Sequence, residues 1–294
     1  MIGGPGLLAV DIGGSKLAAG VVSPSGEVML RDRVPTPSRS PWHAVSGLIK
    51  RLQAAAEDFH LVACGVACGG PMDRDGATVS PLNIPSWRDF ALRDSVAELS
   101  GLTTFVDNGA KAQALAEGWV GAAAGIQNFL FLSVGTGVGA GIVVNGRLLS
   151  GGMGNAGHIG HIIAEPGGRS CRCGGQGCLE AYLSVPAIEA ETGRGVAFAP
   201  ENIIERNAQY LGRALASVAA VVDPSLCVVG GSVVGAWGRP FLDRVREEFE
   251  VRSRLQFTRE MEIRAATLGG SGPLIGAAAV ARANLPPDAM ASSN

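Results

Sequence analysis

The sequence predicts a two-lobe α/β protein with a metal-binding loop, and three observations support this fold class. The chain has 294 residues, which is too long for one small core and suits two lobes. Two glycine-rich turns, at 13–14 and 135–141, each join one apolar run to another, which fits a duplicated architecture with a cleft between the lobes. A further glycine-rich stretch, 151–184, holds three of the six cysteines and two of the four histidines.

The first lobe is predicted to begin with a meander of three strands, over 7–12, 17–22 and 27–33. The turn between the first two strands runs from Asp11 to Lys16 and presents bare backbone N–H groups, a hydroxyl and a carboxylate. This combination suits a phosphate and its Mg²⁺. A plain hairpin turn is the alternative interpretation.

Apolar periodicity predicts that helices and strands alternate along the rest of the chain. Helices are predicted over 41–58, 90–99, 110–124, 201–222, 239–250 and 274–283. Strands are predicted over 61–67, 103–106, 127–134, 142–145, 225–229 and 261–266, with a hairpin turn at Asn145-Gly146. We therefore expect a first lobe of 1–118, with a C-terminal helix at 274–294 packing back on it, and a second lobe of 119–273 that contains the metal loop 157–180.

The metal loop carries His161, Cys171, Cys173 and Cys178 in the order His-x9-Cys-x-Cys-x4-Cys. Three thiolates and one imidazole form a closed tetrahedral set for zinc, as in structural sites. The alternative is a disulfide pair with a stray thiol. Cys-x-Cys is poorly spaced for a bridge, and nothing else in the sequence indicates an oxidising compartment. The sequence therefore favours a structural zinc.

Composition excludes several classes of protein. The net charge of −2 gives no basic surface that argues for nucleic acid. We find no apolar stretch long enough to span a bilayer and no leader with a cleavage site, so we expect a cytoplasmic protein that is not bound to a membrane. Cys64, Cys68 and Cys227 lie in apolar runs and are expected to be buried thiols.

The run GH-x9-CxCGxxGCxE, from Gly160 to Glu180, resembles the zinc signature of the ROK family of sugar kinases and sugar-responsive repressors. The turn Asp11–Lys16 is similar to that family's DxGG[TS]K phosphate element, and the resemblance covers about residues 7–284. It implies a two-lobe actin-like (ribonuclease H-like) ATPase fold and ATP-dependent phosphorylation of a hexose or aminohexose, commonly at the 6-hydroxyl. It also implies ATP with Mg²⁺, a structural Zn²⁺ and a homodimer. Because the chain begins six residues before its first predicted strand, we expect a kinase rather than a repressor with an N-terminal DNA-binding domain.

The resemblance also implies which residues bind the ligands. Those expected to contact nucleotide and its metal are Asp11, Gly13, Gly14, Ser15, Lys16, Gly135, Thr136, Gly137, Gly230 and Gly231. Those expected to contact sugar are Asn83, Asn108, His158, His161 and Glu180, of which His161 also ligates zinc. For Asn83, a turn-forming role is the alternative.

The chain departs from the family pattern at the catalytic corner and in the zinc stretch. The family's Asn-Asp-Ala-Asn reads here Asn108-Gly109-Ala110-Lys111, so Gly109 stands where the catalytic base is usual. Asp107 is the nearest carboxylate; if the strand continued, it would point to the same face as Gly109 from further back. His158 replaces the glutamate of Gly-Glu-x-Gly-His, and an imidazole titrates near neutrality.

Three hypotheses follow from these substitutions. In the first, the protein is a sugar kinase whose base is Asp107 or has moved elsewhere. In the second, it is an enzyme that acts on another hydroxyl or catalyses another reaction, with His158 as acid or base. In the third, it binds sugar or nucleotide without turnover. Intact phosphate elements favour continued use of a nucleotide. A simpler interpretation of His158 is that it replaces one hydrogen-bonding group with another.

Overall fold

The structure is a computed structural model that describes residues 3–286 and 288–290. It divides into two compact units. The first unit comprises the described residues up to Val120, the segment Ser150–Ala156 and the described residues from Gly270 onward. The second unit comprises Gly121–Leu149 and Gly157–Gly269.

Strands and helices alternate along the described chain. The strands are β1 Gly3–Ile12, β2 Lys16–Val22, β3 Val28–Pro35, β4 Phe59–Cys68, β5 Thr104–Asn108, β6 Phe129–Val134, β7 Val138–Val144, β8 Arg147–Leu148, β9 Leu226–Gly230 and β10 Glu262–Ala265. The helices are α1 Pro41–Ala55, α2 Leu92–Ser100, α3 Gly109–Val120, α4 Glu180–Leu183, α5 Val185–Thr192, α6 Glu201–Val222, α7 Ser232–Arg252 and α8 Gly272–Asn284. The predicted α/β fold class with two lobes is confirmed.

The first unit contains a five-stranded sheet of order β3-β2-β1-β4-β5. Its first three strands form an antiparallel meander, whereas β1, β4 and β5 are parallel. One face packs on α1 and α2, and the other packs on α8, which also contacts α3. Helix α8 comes so close to β4 that a Cβ on Gly65 would lie 1.9 Å from the Ala277 carbonyl oxygen, so only glycine fits there.

The second unit contains a five-stranded sheet of order β10-β9-β6-β7-β8. Strands β6, β7 and β8 are antiparallel, and β6, β9 and β10 are parallel. A single apolar core joins this sheet to α6, α7 and the start of the zinc stretch. Helix α6 is amphipathic as its sequence predicts, with Leu211 and Leu215 fully buried.

The structure corrects several predicted boundaries. Strand β1 spans Gly3–Ile12, whereas the sequence predicted a strand over 7–12. Helix α7 begins at Ser232 rather than at residue 239, with a non-helical break at Gly238, whose φ of 66° favours glycine. Helix α8, Gly272–Asn284, agrees with the helix predicted over 274–283 and ends well short of residue 294, the bound given for the C-terminal helix that packs back on the first lobe; residues 287 and 291–294 of that bound lie outside the described residues. Helices α4 and α5 were not predicted.

Within the described residues, no helix combines the length and the apolar character needed to cross a membrane.

Candidate functional site

The four predicted metal ligands lie together in the second unit. One ligand atom each from His161, Cys171, Cys173 and Cys178 falls within 4.8 Å of every other. His161 Nδ1 is 3.7 Å from Cys171 Sγ, and the sulfurs of Cys173 and Cys178 are 3.8 Å apart. Around a zinc ion with Zn–S bonds of about 2.3 Å, tetrahedral sulfurs lie about 3.8 Å apart. The cluster is therefore compatible with zinc and with its tetrahedral coordination.

Glycines hold the histidine-bearing end of this loop against strand β7. A Cβ on Gly157 would lie 2.0 Å from the Ala140 carbonyl oxygen, and one on Gly160 would lie 2.2 Å from the Val138 carbonyl oxygen. The Ala140 N–H also donates to the Gly157 carbonyl at 2.7 Å. Only glycine permits so close a backbone approach. As a result the loop places His158 and His161 at a fixed position on β7, with their rings 6.1 Å apart.

Glu180 connects the metal loop to the second glycine turn. Its Oε2 accepts a hydrogen bond of 2.7 Å from the backbone N–H of Val138, the first residue after Gly135–Thr136–Gly137. The turn is closed by a bond from the Gly135 N–H to the Gly137 carbonyl, and the Val185 N–H donates to the Gly135 carbonyl. The sequence assigned Glu180 only to sugar, and this contact with the phosphate turn was missed because it spans 42 residues.

The predicted adenosine element contacts the same glycine turn. Gly230 ends β9 and Gly231 follows with φ of 103°, so that a Cβ there would lie 2.2 Å from the Val134 carbonyl oxygen. A Cβ on Gly135 would lie 3.5 Å from Ser232 Oγ. The carboxyl ends of β6 and β9 therefore bring together Gly135–Gly137 and Gly230–Gly231, as expected for adjacent parallel strands in a ligand-binding sheet.

The first glycine turn lies at the carboxyl end of β1 in the first unit. The Gly13 N–H donates to the Lys16 carbonyl, and Thr36 Oγ1 donates to the Gly13 carbonyl at 2.7 Å. Gly14 is half-buried, whereas Ser15 and Lys16 are exposed. Burial raises the pKa of Asp11 to about 6, an effect that the Lys16 ammonium partly offsets.

Asp11 and Asp107 lie in one row across the first sheet. Asp11 pairs with Ala67 of β4, and Ala67 pairs with Asp107 of β5. Residues in one row point to the same face, and two strand spacings separate the backbones of the two aspartates by about 10 Å. The face is the one that packs on α8, because Leu7 and Ala9, which alternate with Asp11 along β1, belong to that core.

Asp107 is held by a lysine that the sequence did not assign to a role. Lys111 Nζ lies 2.7 Å from Asp107 Oδ1, and the lysine side chain is only 3% exposed. The Asn108 N–H donates to the same oxygen at 2.7 Å. Asp107 lies in β5 and Lys111 lies in the first turn of α3, so no helical spacing in the sequence indicates this pair.

The strand ends one residue before Gly109, so the expectation that Asp107 and Gly109 share a strand face is wrong. Gly109 is the first residue of α3, and the Asn108 side chain caps that helix by accepting from the Ala110 N–H at 2.9 Å. A Cβ on Gly109 would meet nothing within 4 Å. The junction between β5 and α3 therefore has room for a larger side chain at residue 109.

The segment Ser150–Ala156 is attached to the first unit by side chains. Lys111 Nζ donates to the Gly154 carbonyl at 3.1 Å, and Arg74 donates to the Gly152 carbonyl at 2.9 Å. The amide of Asn155 accepts from the Met72 N–H and donates to the Met72 carbonyl. Asn83, half-buried in the loop that follows β4, lies in the first unit as well. These residues gather around the carboxyl ends of β4 and β5.

The predicted site residues are thus divided between the two units. Asp11–Lys16, Asn83, Asp107 and Asn108 belong to the first; His158, His161, Glu180, the three cysteines and the second glycine turn belong to the second.

Comparisons with known proteins place the chain in a family. The sequence model of the ROK family matches residues 7–284. The glucokinase of Halalkalibacterium halodurans is 32% identical over 92% of this chain and 92% of that protein, and the N-acetylmannosamine kinase of Escherichia fergusonii is 37% identical over 77% of this chain and 82% of that protein. The crystal structure of a ROK family glucokinase from Streptomyces griseus in complex with glucose and AMPPNP matches with a TM-score of 0.83 and 32% identity, covering 95% of this chain and 99% of that chain. The chain therefore belongs to the ROK family.

Proposed function

We propose that the protein transfers a phosphoryl group from ATP to a hydroxyl of a hexose or an aminohexose. The observation that carries the proposal is the similarity, over nearly the whole chain, to a glucokinase and to a structure that contains glucose and AMPPNP. The two glycine turns support it, because each leaves backbone N–H groups beside a strand end where phosphates bind.

The nucleotide is assigned to both turns. The residues assigned to its phosphates and adenosine are Gly13, Gly14, Ser15 and Lys16 of the first unit and Gly135, Thr136, Gly137, Gly230 and Gly231 of the second. Asp11 is the carboxylate available for Mg²⁺, a metal that prefers oxygen ligands and neutralises phosphate charge during transfer.

The sugar is assigned to Asn83, Asn108, His158, His161 and Glu180. Two of these groups are already partly engaged: Asn108 Oδ1 caps α3, and Glu180 Oε2 binds the Val138 N–H. The NH₂ of Asn108 and the second carboxylate oxygen of Glu180 are therefore the atoms that we expect to contact sugar hydroxyls.

We propose that zinc has a structural role, because its four ligands form a closed set with no open position. His161 would then bind zinc through Nδ1, the atom near Cys171, and present Nε2 to the sugar. A homodimer, which rests on the family resemblance alone, and a location in the cytoplasm are part of the same proposal.

Asp107 is the carboxylate nearest in the sequence to residue 109 and the first candidate for the general base. Asp107 Oδ1 already accepts hydrogen bonds from the Lys111 ammonium and the Asn108 backbone N–H, so that oxygen is engaged within the first unit rather than directed to a sugar hydroxyl. General-base help is worth about 10²–10⁴-fold, whereas phosphoryl transfer depends mostly on positioning and charge neutralisation. We therefore propose a kinase that turns over more slowly than one with a carboxylate at residue 109.

Release of ADP from ATP and Mg²⁺ tests this function, measured across hexoses, aminohexoses, N-acetylhexosamines and cyclitols, with phosphorus NMR of each product. A sugar-dependent phosphate ester is the expected result, and the position of the phosphate identifies the reacting hydroxyl. Absence of an ester with every acceptor, despite binding of sugar and nucleotide in calorimetry, contradicts the proposal.

Binding without turnover is the second candidate, and the engaged Asp107 together with Gly109 is the observation that favours it. A reaction at another hydroxyl with His158 as acid or base is the third. In that case His158→Asn should abolish turnover while sugar binding stays within about tenfold. Weaker binding with unchanged turnover at saturation would show that His158 only binds sugar.

A further inference from the structure

A cavity of about 280 Å³ lies beside the first glycine turn, entirely within the first unit. Its charged lining comes from Lys16 on the turn and from Arg31 and Arg33 on β3. Ser271, which precedes α8, adds a hydroxyl, and Ala18 and Leu274 add apolar surface. Three segments that are distant in sequence therefore line one small pocket that is open to solvent.

The alternation of β3 explains why two arginines line this cavity together. Arg31 and Arg33 are separated by one residue, so both side chains point to the same face of the strand. Both are exposed, as is Lys16. Among residues 3–286 and 288–290, none of these three cations forms a salt bridge within 4.0 Å.

The two carboxylates in the lining do not cancel this positive charge. Asp32 is already paired with Arg51 at 2.8 Å and accepts from the Arg33 backbone N–H at 2.7 Å. Asp11 is the other carboxyl group of the lining. The three cations thus face one carboxyl group that is not already paired with an arginine.

The size of the cavity restricts what it can hold. Sites for drug-sized ligands measure about 300–1,000 Å³ and are mostly apolar. A smaller space with two guanidinium groups suits a compact anion, because guanidinium binds phosphate through paired hydrogen bonds. The N-terminus of α8 adds a favourable field, although Pro273 supplies no N–H.

We infer that this cavity binds an inorganic phosphate species, either phosphate or a short phosphate chain, in addition to the nucleotide. The inference goes beyond the proposed kinase activity, since it requires no turnover and adds Arg31, Arg33 and Ser271 to the ligand-binding residues. Asp11 and Lys16 are shared with the first glycine turn, so the bound anion would lie next to the phosphates assigned to that turn.

Isothermal titration calorimetry on the full chain tests the inference with sodium phosphate and sodium tripolyphosphate at constant ionic strength, and with sodium sulfate as the comparison anion. The variant is Arg31→Gln with Arg33→Gln. The matched control, Arg39→Gln with Lys50→Gln, removes two positive charges from exposed positions of the same unit that do not line the cavity. Thermal melts of both variants check that each is folded.

We expect the cavity variant to weaken phosphate or tripolyphosphate binding by at least about tenfold, the effect of losing a charge-assisted hydrogen bond. In the control variant, the affinity for phosphate and tripolyphosphate should change by less than about twofold. The affinity for ATP should change as little in both variants. Tighter binding of tripolyphosphate than of phosphate would identify a chain, and equal binding would identify a single phosphate group.

Each of four results would overturn the inference, of which the first three are no binding of either phosphate species, equal losses in the two variants, and equal binding of sulfate; the fourth concerns ATP. If ATP displaced tripolyphosphate and the cavity variant lost affinity for both, the cavity would belong to the nucleotide site. Because every readout is binding, a protein without kinase turnover leaves the test intact.

Discussion

Strand β6 occupies in the second sheet the place that β1 occupies in the first, and the other strands correspond in the same way. Each sheet has an antiparallel meander of three strands followed by two parallel strands. Asp11 of β1, which pairs with Ala67 of β4, therefore corresponds to Ser133 of β6, which pairs with Gly230 of β9. The two sheets therefore share their strand order, although the first glycine turn has one residue more between its paired strand ends than the second.

The residues at the carboxyl ends of the strands, which form one edge of each sheet, differ between the two sheets. The edge of the first sheet carries Asp11 and Asp107, together with the lysine that pairs with Asp107. The edge of the second sheet carries glycines, and its nearest carboxylate, Glu180, comes from the metal loop. The comparison indicates that the repeated topology supplies a glycine turn in each sheet, whereas carboxylates lie at the carboxyl ends of the strands in the first sheet alone.

Loss of zinc should produce the largest difference between the two units. Cys178→Ser is expected to lower the zinc content and to destabilise the second unit by more than about 4 kcal/mol, because structural zinc contributes about 10–16 kcal/mol of apparent binding energy in small domains. Zinc analysis and thermal melts measure both effects. Cys227→Ala, at a buried thiol of the same unit away from the cluster, should keep the metal. Full stability after removal of zinc would contradict a structural role.

Breaking the ion pair at the first edge should have the next largest effect. Asp107→Asn leaves the ammonium of Lys111 buried without its counter-ion, which costs about 3–5 kcal/mol. Adding Lys111→Met should recover most of that loss, as urea unfolding of the single and double variants would show. Asp94→Asn, at the exposed pair with Arg93, is the control and should change stability by less than about 0.5 kcal/mol.

The same variant separates a structural role of Asp107 from a catalytic one. If the double variant recovers stability and also keeps kcat, Asp107 is the counter-ion of Lys111 and not the base. A kcat that stays low in a stable double variant would instead assign the base to Asp107.

Adding a carboxylate at the first edge should increase turnover. Gly109→Asp places the group at the first residue of α3, where a Cβ meets no atom within 4 Å and a negative charge interacts favourably with the helix dipole. We expect kcat for the identified sugar to rise by about 10²–10⁴-fold, the usual value of a general base. Gly109→Asn has a similar shape without the base and is the control. Equal kcat values for the two variants would mean that the base lies elsewhere.

The cluster of His161 and three cysteines could be predicted from the sequence because its four side chains lie within 18 residues of one another and are of the types that bind zinc. The contacts of the candidate site residues outside this cluster could not be predicted in the same detail. The row that joins Asp11 to Asp107 depends on strand pairing, and the contact of Glu180 with Val138 joins two separate loops. The positions of Asn108 and Gly109 depended on where β5 ends, and sequence patterns define such boundaries only to within a few residues. The cavity beside Lys16 combines β3 with the start of α8, so no local pattern could indicate it.

The smallest effect on stability is expected from the ion pairs of Glu191 in the second unit, and it should disappear in acid. Hydrogen bonds from Arg206 and Arg169 lower the pKa of Glu191 from 4.5 to about 2. This stabilisation is present above about pH 4.5 and is lost as the pH falls towards 2, since the unfolded chain takes up the proton first. Glu191→Gln should therefore cost about 1–2 kcal/mol at pH 7, after allowance for solvent screening of the exposed arginines, and almost nothing at pH 2. Glu189→Gln, exposed on the same helix, is the control. If the two variants lost the same stability at both pH values, the pair of arginines would contribute no measurable energy. The second unit would then depend on its metal and its apolar core alone.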